Sequence, residues 1–537
     1  MDNAGIAERL DAFASLLELS EANPYTIRAY RRAAETVRGV PVPVVELVRT
    51  GRVRQLRGIG PGIEARLVEL VETGEIAELA ELERELSPEL VGLGRYLGLS
   101  AQRSIELTRA LEIRTADEFR AAAAAGRLRD VPGIGEKTEA RLLGALARES
   151  EPAPARGLLL HRAQELVHGI AAALGAEAAG DVRRCREACH DLAVVCMAQD
   201  PSPAFAAFAQ LPQIVAVIGQ AERQAIGVTV EGVPVRLVVA MPTSFGSELA
   251  RATGTAAYVA ALEPLPDAPD EAALYGALGV PWCPPELREQ PFAGEPPPLI
   301  ELEQVRGDLH THTTWSDGRQ SVEEMGRAAR DRGYEYLAIC DHTPAVGAVR
   351  GLTPDDVRRQ GEEIAAANEI LAPFRVLRGI ECDILPDGRL DLPDDVLAEL
   401  DWVQASVHGG QRMPRREMTK RVLEALRNPY VRCLSHPTGR YINRRPENAL
   451  DLERVYEMAL ERGVALEVNG LPPRLDLSGE HAHDAVRAGV SLVCSTDAHS
   501  TQGLANMTFA VATARRGWAT AADVLNTRPL AEILSPP

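Results

Sequence analysis

The sequence predicts a multidomain protein with an all-α N-terminal region, an α+β middle domain and a C-terminal β/α barrel. Three observations carry that expectation. Apolar residues recur at helical spacing through residues 1 to about 150. Strand-like runs such as DLAVVCMA and IGVTVEGVPVRLVVAM then alternate with alanine-rich helices to about residue 285. After residue 299, short apolar runs end again and again in a side chain able to hold a metal, the layout of a barrel whose strand ends converge on one face.

At 537 residues the chain exceeds one core, and usual domain sizes suggest about three or four domains. Composition shifts place them at 1–85, 86–154, 155–285 and 299–537, with a proline-rich linker at 286–298. A hydrophobic content of 45% with 25% charged residues excludes neither folding nor solubility and argues against a disordered or membrane class. No run approaches the roughly 18 to 20 apolar residues of a membrane span. The start, MDNAGIAERLDAF, is acidic and amphipathic rather than secretory. Eight cysteines without CxxC spacing fit a reducing compartment, so the expectation is a cytoplasmic protein with no membrane partner. A net charge of -19 opposes whole-molecule attraction to nucleic acid, so any DNA contact must be local.

Two helices open the chain: IAERLDAFASLLEL, with one buried face, and NPYTIRAYRRAAETVRGV, which groups Arg28, Arg31 and Arg32. A repeat follows. LRGIGPGIEARLVELV at 56–71 and VPGIGEKTEARLLGAL at 131–146 share hydrophobic-x-Gly-Ile-Gly-x-x-x-x-Ala-Arg-Leu. A Gly-x-Gly turn entering a helix presents backbone N–H groups to a phosphate oxygen. The pair resembles the helix-hairpin-helix element, which makes Gly58, Gly60, Gly62, Gly133, Gly135 and Lys137 candidate DNA contacts.

In the last segment, His310 and His312 lie two apart, so on a strand both point to one side. Asp317, His342, Glu381, His408, His436, Asp497 and His499 complete a set of nine donors. That is too many for one tetrahedral zinc, and it suits two or three divalent ions, Mn2+ or Zn2+, with open positions for water and substrate. Such ions lower the pKa of a bound water to about 7 and clamp phosphate oxygens, so no side-chain nucleophile is needed. His481 and His483, in GEHAHDAVRAG, read as a helix start outside the set.

The order HTH, SDG, CDHTP, GIECDI, SVH, SHPTGR, EVNG with PPRLDL, and STDAH resembles the PHP domain. The whole chain is similar to bacterial family X DNA polymerases with a C-terminal PHP domain, with NPYTIRAYRRAA, the hairpins and PPELRE matching elsewhere. The resemblance implies a distorted, three-metal barrel acting as a manganese-dependent 3'-5' exonuclease on DNA, in some members with 3'-phosphatase or abasic-site activity, at gapped or damaged duplex with a 3' end. It implies one ion on His310, His312, Glu381 and Asp497, a second on Glu381, His408 and His436, and a third on Asp317, His342 and His499. Glu381, Asp497 and His499 are then the catalytic candidates.

The polymerase part departs from that family. GDVRRCREACHDLAVV keeps Gly180, Arg183, Arg184 and Asp191, but Asp181 stands where the family has a phosphate-cradling serine. Ala193 replaces the second carboxylate and Arg236 the third. A guanidinium is worse than a missing ligand: unit charges about 4 Å apart repel by roughly 4 kcal/mol at an effective dielectric of 20. The expectation is a DNA-repair nuclease whose polymerase-like region has lost its chemistry. The alternatives are an active family X polymerase, a non-catalytic DNA-binding scaffold, and a small-molecule phosphatase, the last of which leaves the hairpins unexplained.

Overall fold

The computed structural model describes residues 2–19, 23–80, short stretches between 110 and 131, and 157–534 apart from 293 and 348. The chain divides into two compact units, one of residues 1–156, 172–175 and 198–239, the other of 157–171, 176–197 and 240–537.

In the first unit, helices Asn3–Leu19 and Pro24–Gly39 pair face to face. Ile6, Leu10, Phe13 and Leu17 supply the buried stripe of one, and Ile27, Tyr30, Ala34 and Val37 that of the other. Burying each such large side chain contributes about 1.5 to 3 kcal/mol. Phe13 meets Tyr30 edge to face at 4.9 Å. The second helix starts where the sequence says it should, because the Asn23 side chain accepts from the Tyr25 N–H and Pro24 fits the first turn. Asn3 then ties the helix pair to the next segment, donating to the Val40 and Val42 carbonyls at 2.8 and 2.7 Å and accepting from the Val44 N–H. Helix Pro61–Thr73 buries Ile63, Leu67 and Leu70 in the same core. The run IGVTVEGVPVRLVVAM folds as a hairpin: Gln224–Thr229 pairs antiparallel with Pro234–Ala240, and Gln224–Thr229 also pairs with Ile214–Gln220.

The second unit carries the barrel. Seven parallel strands, Gly307–Thr311, Tyr336–Ile339, Arg375–Asp383, Trp402–Ser406, Cys433–Leu434, Ala465–Asn469 and Leu492–Ser495, stand side by side in chain order. A parallel bridge between Thr311 and Ala498 joins the last strand region to the first, so the sheet nearly closes. Residues two apart on a strand share a face, which sorts the side chains into two layers. Leu377, Trp402, Ala465 and Val493 pack with Leu309 and Tyr336 in one apolar cluster. Continuing toward the strand ends on that same face come Glu381, Gln404, Glu467 and Ser495. The alternate residues, Val403, Ala405, Leu466, Val468, Leu492 and Cys494, pack against Met418, Val422, Val455, Ala459 and Ala510 of the surrounding helices. The inner face thus changes from apolar to polar in the direction of the chain, which puts every ligand type at one end. Among the described residues, no helix is long and apolar enough to cross a membrane.

Candidate metal centre

Each of the nine sequence-derived donors sits at the carboxyl end of a barrel strand or in the turn that follows, and the fold brings all nine together. Asp317 reaches the group because the SDG turn folds back tightly. A Cβ on Gly318 would lie 2.5 Å from the His312 carbonyl oxygen and 2.6 Å from the Thr313 nitrogen, so no other residue allows that approach.

Glu381 is the hub. Its Oε1 lies 2.7 Å from His436 Nε2 and 3.4 Å from His408 Nε2. Its Oε2 lies 3.0 Å from His342 Nδ1, 3.4 Å from His310 Nε2 and 3.7 Å from His312 Nε2. One carboxylate therefore faces two sets of imidazoles, the geometry of a bridging ligand. Asp497 Oδ1 is 3.2 Å from His312 Nε2 and 3.8 Å from His310 Nε2. Asp317 is 3.2 Å from His499 Nε2 and 3.7 Å from His342 Nε2. Among the described residues, three groups are compact enough to hold an ion: His312, Asp317, His342 and His499; His310, His312 and Asp497; and His342, Glu381 and His408. His312 and His342 each belong to two of them, and His436 enters through Glu381.

Burial opposes charge here, and proximity decides the outcome. Burial alone would raise Glu381, but His408, His310 and His342 hold it well below the usual carboxylate range. Asp497 is likewise held well down against burial, by His310, His312 and His499. Burial, reinforced by the His499 and His342 rings, pushes His312 down to about 3, so its ring is neutral and offers a lone pair. For His499, burial is outweighed by Asp317 and Asp497, which push it up to about 9. Nδ1 of His312 and of His436 is buried without a hydrogen-bond partner, which costs about 1 to 3 kcal/mol for a polar atom unless something fills the gap. His436 and Asp497 also hold left-handed backbone, φ 27° and 53°, at about 1 kcal/mol or more each. Orphaned nitrogens, crowded carboxylates and strained donors are what divalent cations would satisfy, and the residues present fit them.

Four carboxylates outside the sequence-derived set form a supporting layer. Glu467 takes His310 Nδ1 at 2.6 Å and Ser435 Oγ at 2.9 Å, which turns His310 Nε2 toward Glu381. Asp383 lies 3.2 Å from His408 Nδ1 and plays the same part there. Asp341 accepts from Thr313 N–H, Thr313 Oγ1, Ser316 Oγ and Gln360 Nε2. Asp308 accepts from the His310 and Thr496 N–H groups and from Thr496 Oγ1, and burial pushes it up to about 7. The signal was present in EVNG, CDI, CDH and GDLH: a carboxylate on a donor-bearing strand. Nothing in spacing tells a ligand from the group that orients it.

At the first hairpin, Gly58 has φ 89° and Gly60 precedes helix Pro61–Thr73. No atom lies within 4 Å of where a Cβ would stand on Gly58, Gly60 or Gly62, so the turn is open on that side. Gly133, Gly135 and Lys137 lie outside the described residues.

The polymerase-signature residues of the second unit are arranged quite differently. Asp181 is buried, and its Oδ2 accepts from the His190 and Asp191 N–H groups at 2.6 and 2.8 Å while Oδ1 pairs with Arg184. Arg183 bonds Glu271 through both Nη atoms at 2.8 and 2.9 Å. Fully buried Arg288 grips the same carboxylate from another side. Despite burial, the two guanidiniums hold Glu271 down to about 2.

Comparison with known proteins gives two family matches: the helix-hairpin-helix domain over residues 1–76 and the PHP domain over residues 308–470. Asp497 and His499 lie beyond the second match. The DNA polymerase/3'-5' exonuclease PolX of Bacillus subtilis is 34% identical, over 99% of each chain. A probable phosphatase of Acetivibrio thermocellus is 33% identical over 36% of this chain and 78% of its own. A probable phosphatase of a Thermoanaerobacter species is 29% identical over 41% of this chain and 89% of its own.

Proposed function

The chain belongs to the bacterial family X DNA polymerases that carry a C-terminal PHP domain, and on that premise we propose that it is a metal-dependent nuclease trimming or cleaning DNA 3' ends during repair. The observation that carries this is the gathering of the nine donors at one end of the barrel, five of them histidines set around Glu381. Two or three divalent ions, manganese or zinc, bound there would supply a water ionised near neutral pH and charge neutralisation for the phosphate. His310, His312, Glu381 and Asp497 would hold one, Glu381 with His408 and His436 a second, and Asp317, His342 and His499 a third. The protein's own contribution is orientation. Glu467 and Asp383 fix the tautomers of His310 and His408, and Glu381, Asp497 and His499 surround the reacting phosphoester. The hairpin turn at Gly58, Gly60 and Gly62, and its repeat at Gly133, Gly135 and Lys137, grip the duplex backbone without reading sequence.

In this reading the polymerase-like region adds no nucleotides. Ala193 and Arg236 stand at two of the three carboxylate positions, and Asp181 fills the phosphate cradle with an anion already matched to Arg184. A second reading, retained polymerase activity, is favoured by the 34% identity to a relative named as a polymerase. One experiment separates them. Purified protein is incubated with 3'-recessed gapped DNA, 5'-end-labelled, with manganese and all four deoxynucleotides. Shortening supports the nuclease. Template-dependent extension establishes the second reading, and an inert protein sinks both.

A further inference from the structure

One cation faces the metal centre with its hydrogen-bonding capacity unspent. Arg474 lies in the loop after the sixth barrel strand, its side chain only 12% exposed. Its Nε is 3.6 Å from Asp497 Oδ2, too far for a hydrogen bond, and is buried with no partner. Asp497 is divided between two neighbours. Its Oδ1 faces His312 and His310, whereas Oδ2 accepts from Asn469 Nδ2 at 3.1 Å and turns toward Arg474.

Packing rather than pairing sets the guanidinium in place. It lies over the Tyr441 ring, 5.0 Å from the centroid, and Arg445 lies over the same ring at 5.3 Å. The backbone beneath is pinned as well, since Arg440 donates from Nε to the Arg474 carbonyl at 2.9 Å and from Nη2 to the Leu475 carbonyl. A side chain held this firmly, in an ion pair with a carboxylate to which it makes no hydrogen bond, is preorganised for an anion that comes from outside.

We propose that Arg474 is a catalytic residue that grips the phosphoester, donating to a non-bridging oxygen of the group brought against Asp497. The proposal rests on the hydrolytic reading of the barrel. The planar guanidinium matches two phosphate oxygens at once, and it meets charge that grows on them as the phosphorus is attacked. Lysine keeps the charge and loses the fork.

The test uses full-length protein loaded with manganese and inorganic phosphate as the probe. Phosphate affinity is measured by calorimetry for wild type, Arg474→Ala, Arg474→Gln and Arg474→Lys, together with manganese affinity, melting temperature, and KM and kcat on a small phosphoester. Loss of hydrogen bonds to a charged group predicts phosphate affinity weakened about ten- to a hundredfold in Arg474→Ala. Arg474→Lys recovers part of it, and manganese affinity stays as in wild type. Unchanged phosphate affinity in folded Arg474→Gln overturns the proposal, as does weakening that only follows lost manganese, because Arg474 then merely supports Asp497. The two readings fail separately. Wild type that binds phosphate through Arg474 yet hydrolyses nothing removes the hydrolase and leaves this inference. Hydrolysis with KM and phosphate affinity indifferent to Arg474 does the reverse.

Discussion

The barrel mouth and the signature segment around Asp181 both gather charged side chains out of water, and they resolve the crowding in opposite ways. Around Asp181 every charge meets its opposite inside the protein: Arg184 with Asp181, and Arg183 and Arg288 with Glu271. Around Glu381 the partners are imidazoles with buried nitrogens left over, and two donors sit on left-handed backbone. A cluster that has closed on itself stabilises the fold and has nothing left for a ligand. A cluster that stays unsatisfied costs stability and keeps its donors for one.

If that contrast is right, substitutions at the barrel mouth remove function and spare the fold, while those in the closed cluster do the opposite. The largest effect is expected for His310→Ala with His312→Ala. Metal-dependent hydrolysis of labelled DNA should fall by several orders of magnitude with the melting temperature no lower than wild type. A double variant of full activity breaks the comparison on the barrel side.

Next comes Glu187, which follows the signature arginines. Its carboxylate accepts from the Gly479 N–H at 2.8 Å and pairs with Arg516, and against burial Arg516 and Arg440 hold it at about 2 rather than the ordinary 4.5. Removing one partner of such a buried pair costs about 3 kcal/mol, so Glu187→Gln should unfold at markedly lower denaturant at neutral pH. The folded value is depressed, so the stabilisation is complete above 4.5 and is lost as pH falls toward 2. The gap between variant and wild type should therefore close over that window. A gap constant from neutral pH to acid would mean that the charge contributes nothing.

Glu467 sharpens the comparison, because it belongs to the barrel but is internally matched. Glu467→Gln should weaken metal affinity by about ten- to a hundredfold, measured by competition with a chelator, by freeing the His310 ring. Unaltered affinity would make it a packing residue. The smallest effect is expected at the hairpin. Gly58 has φ 89°, so Gly58→Ala should cost about 1 to 2 kcal/mol through backbone strain. Its DNA affinity and the salt dependence of binding should fall beyond what the lost folded fraction explains. Binding that tracks the folded fraction alone would reduce the turn to a structural element.

Much of this was legible in the chain. Asn23 with Pro24 marks a helix start whatever surrounds it, because a cap is a local hydrogen bond. The seven strand ends could be read because a period-two pattern fixes which face a donor takes, and nine donors at such positions are their own explanation. At the first hairpin only Gly58 holds positive φ, and the close approach that requires Gly318 became visible only in the fold. Local sequence determined, in short range, where elements begin, which face they bury and which residues could carry charge to one end of a barrel. What it left open depended on distance between residues far apart in the chain. Glu467 and Glu381 are both carboxylates on barrel strands, and only the closed sheet makes one an orienting partner of His310 and the other a hub between two histidine sets. Arg474 stands in the PPRLDL run, which by itself gives the side chain no role, and only the fold leaves it beside Asp497 without a hydrogen bond. In sequence Asp181 merely stands where a phosphate-cradling serine is expected, and the tertiary structure made it the anchor of Arg184 and two backbone N–H groups. The physical reason is the same in each case: the role of a buried charge is set by what else shares its low-dielectric surroundings, and those neighbours come from other strands.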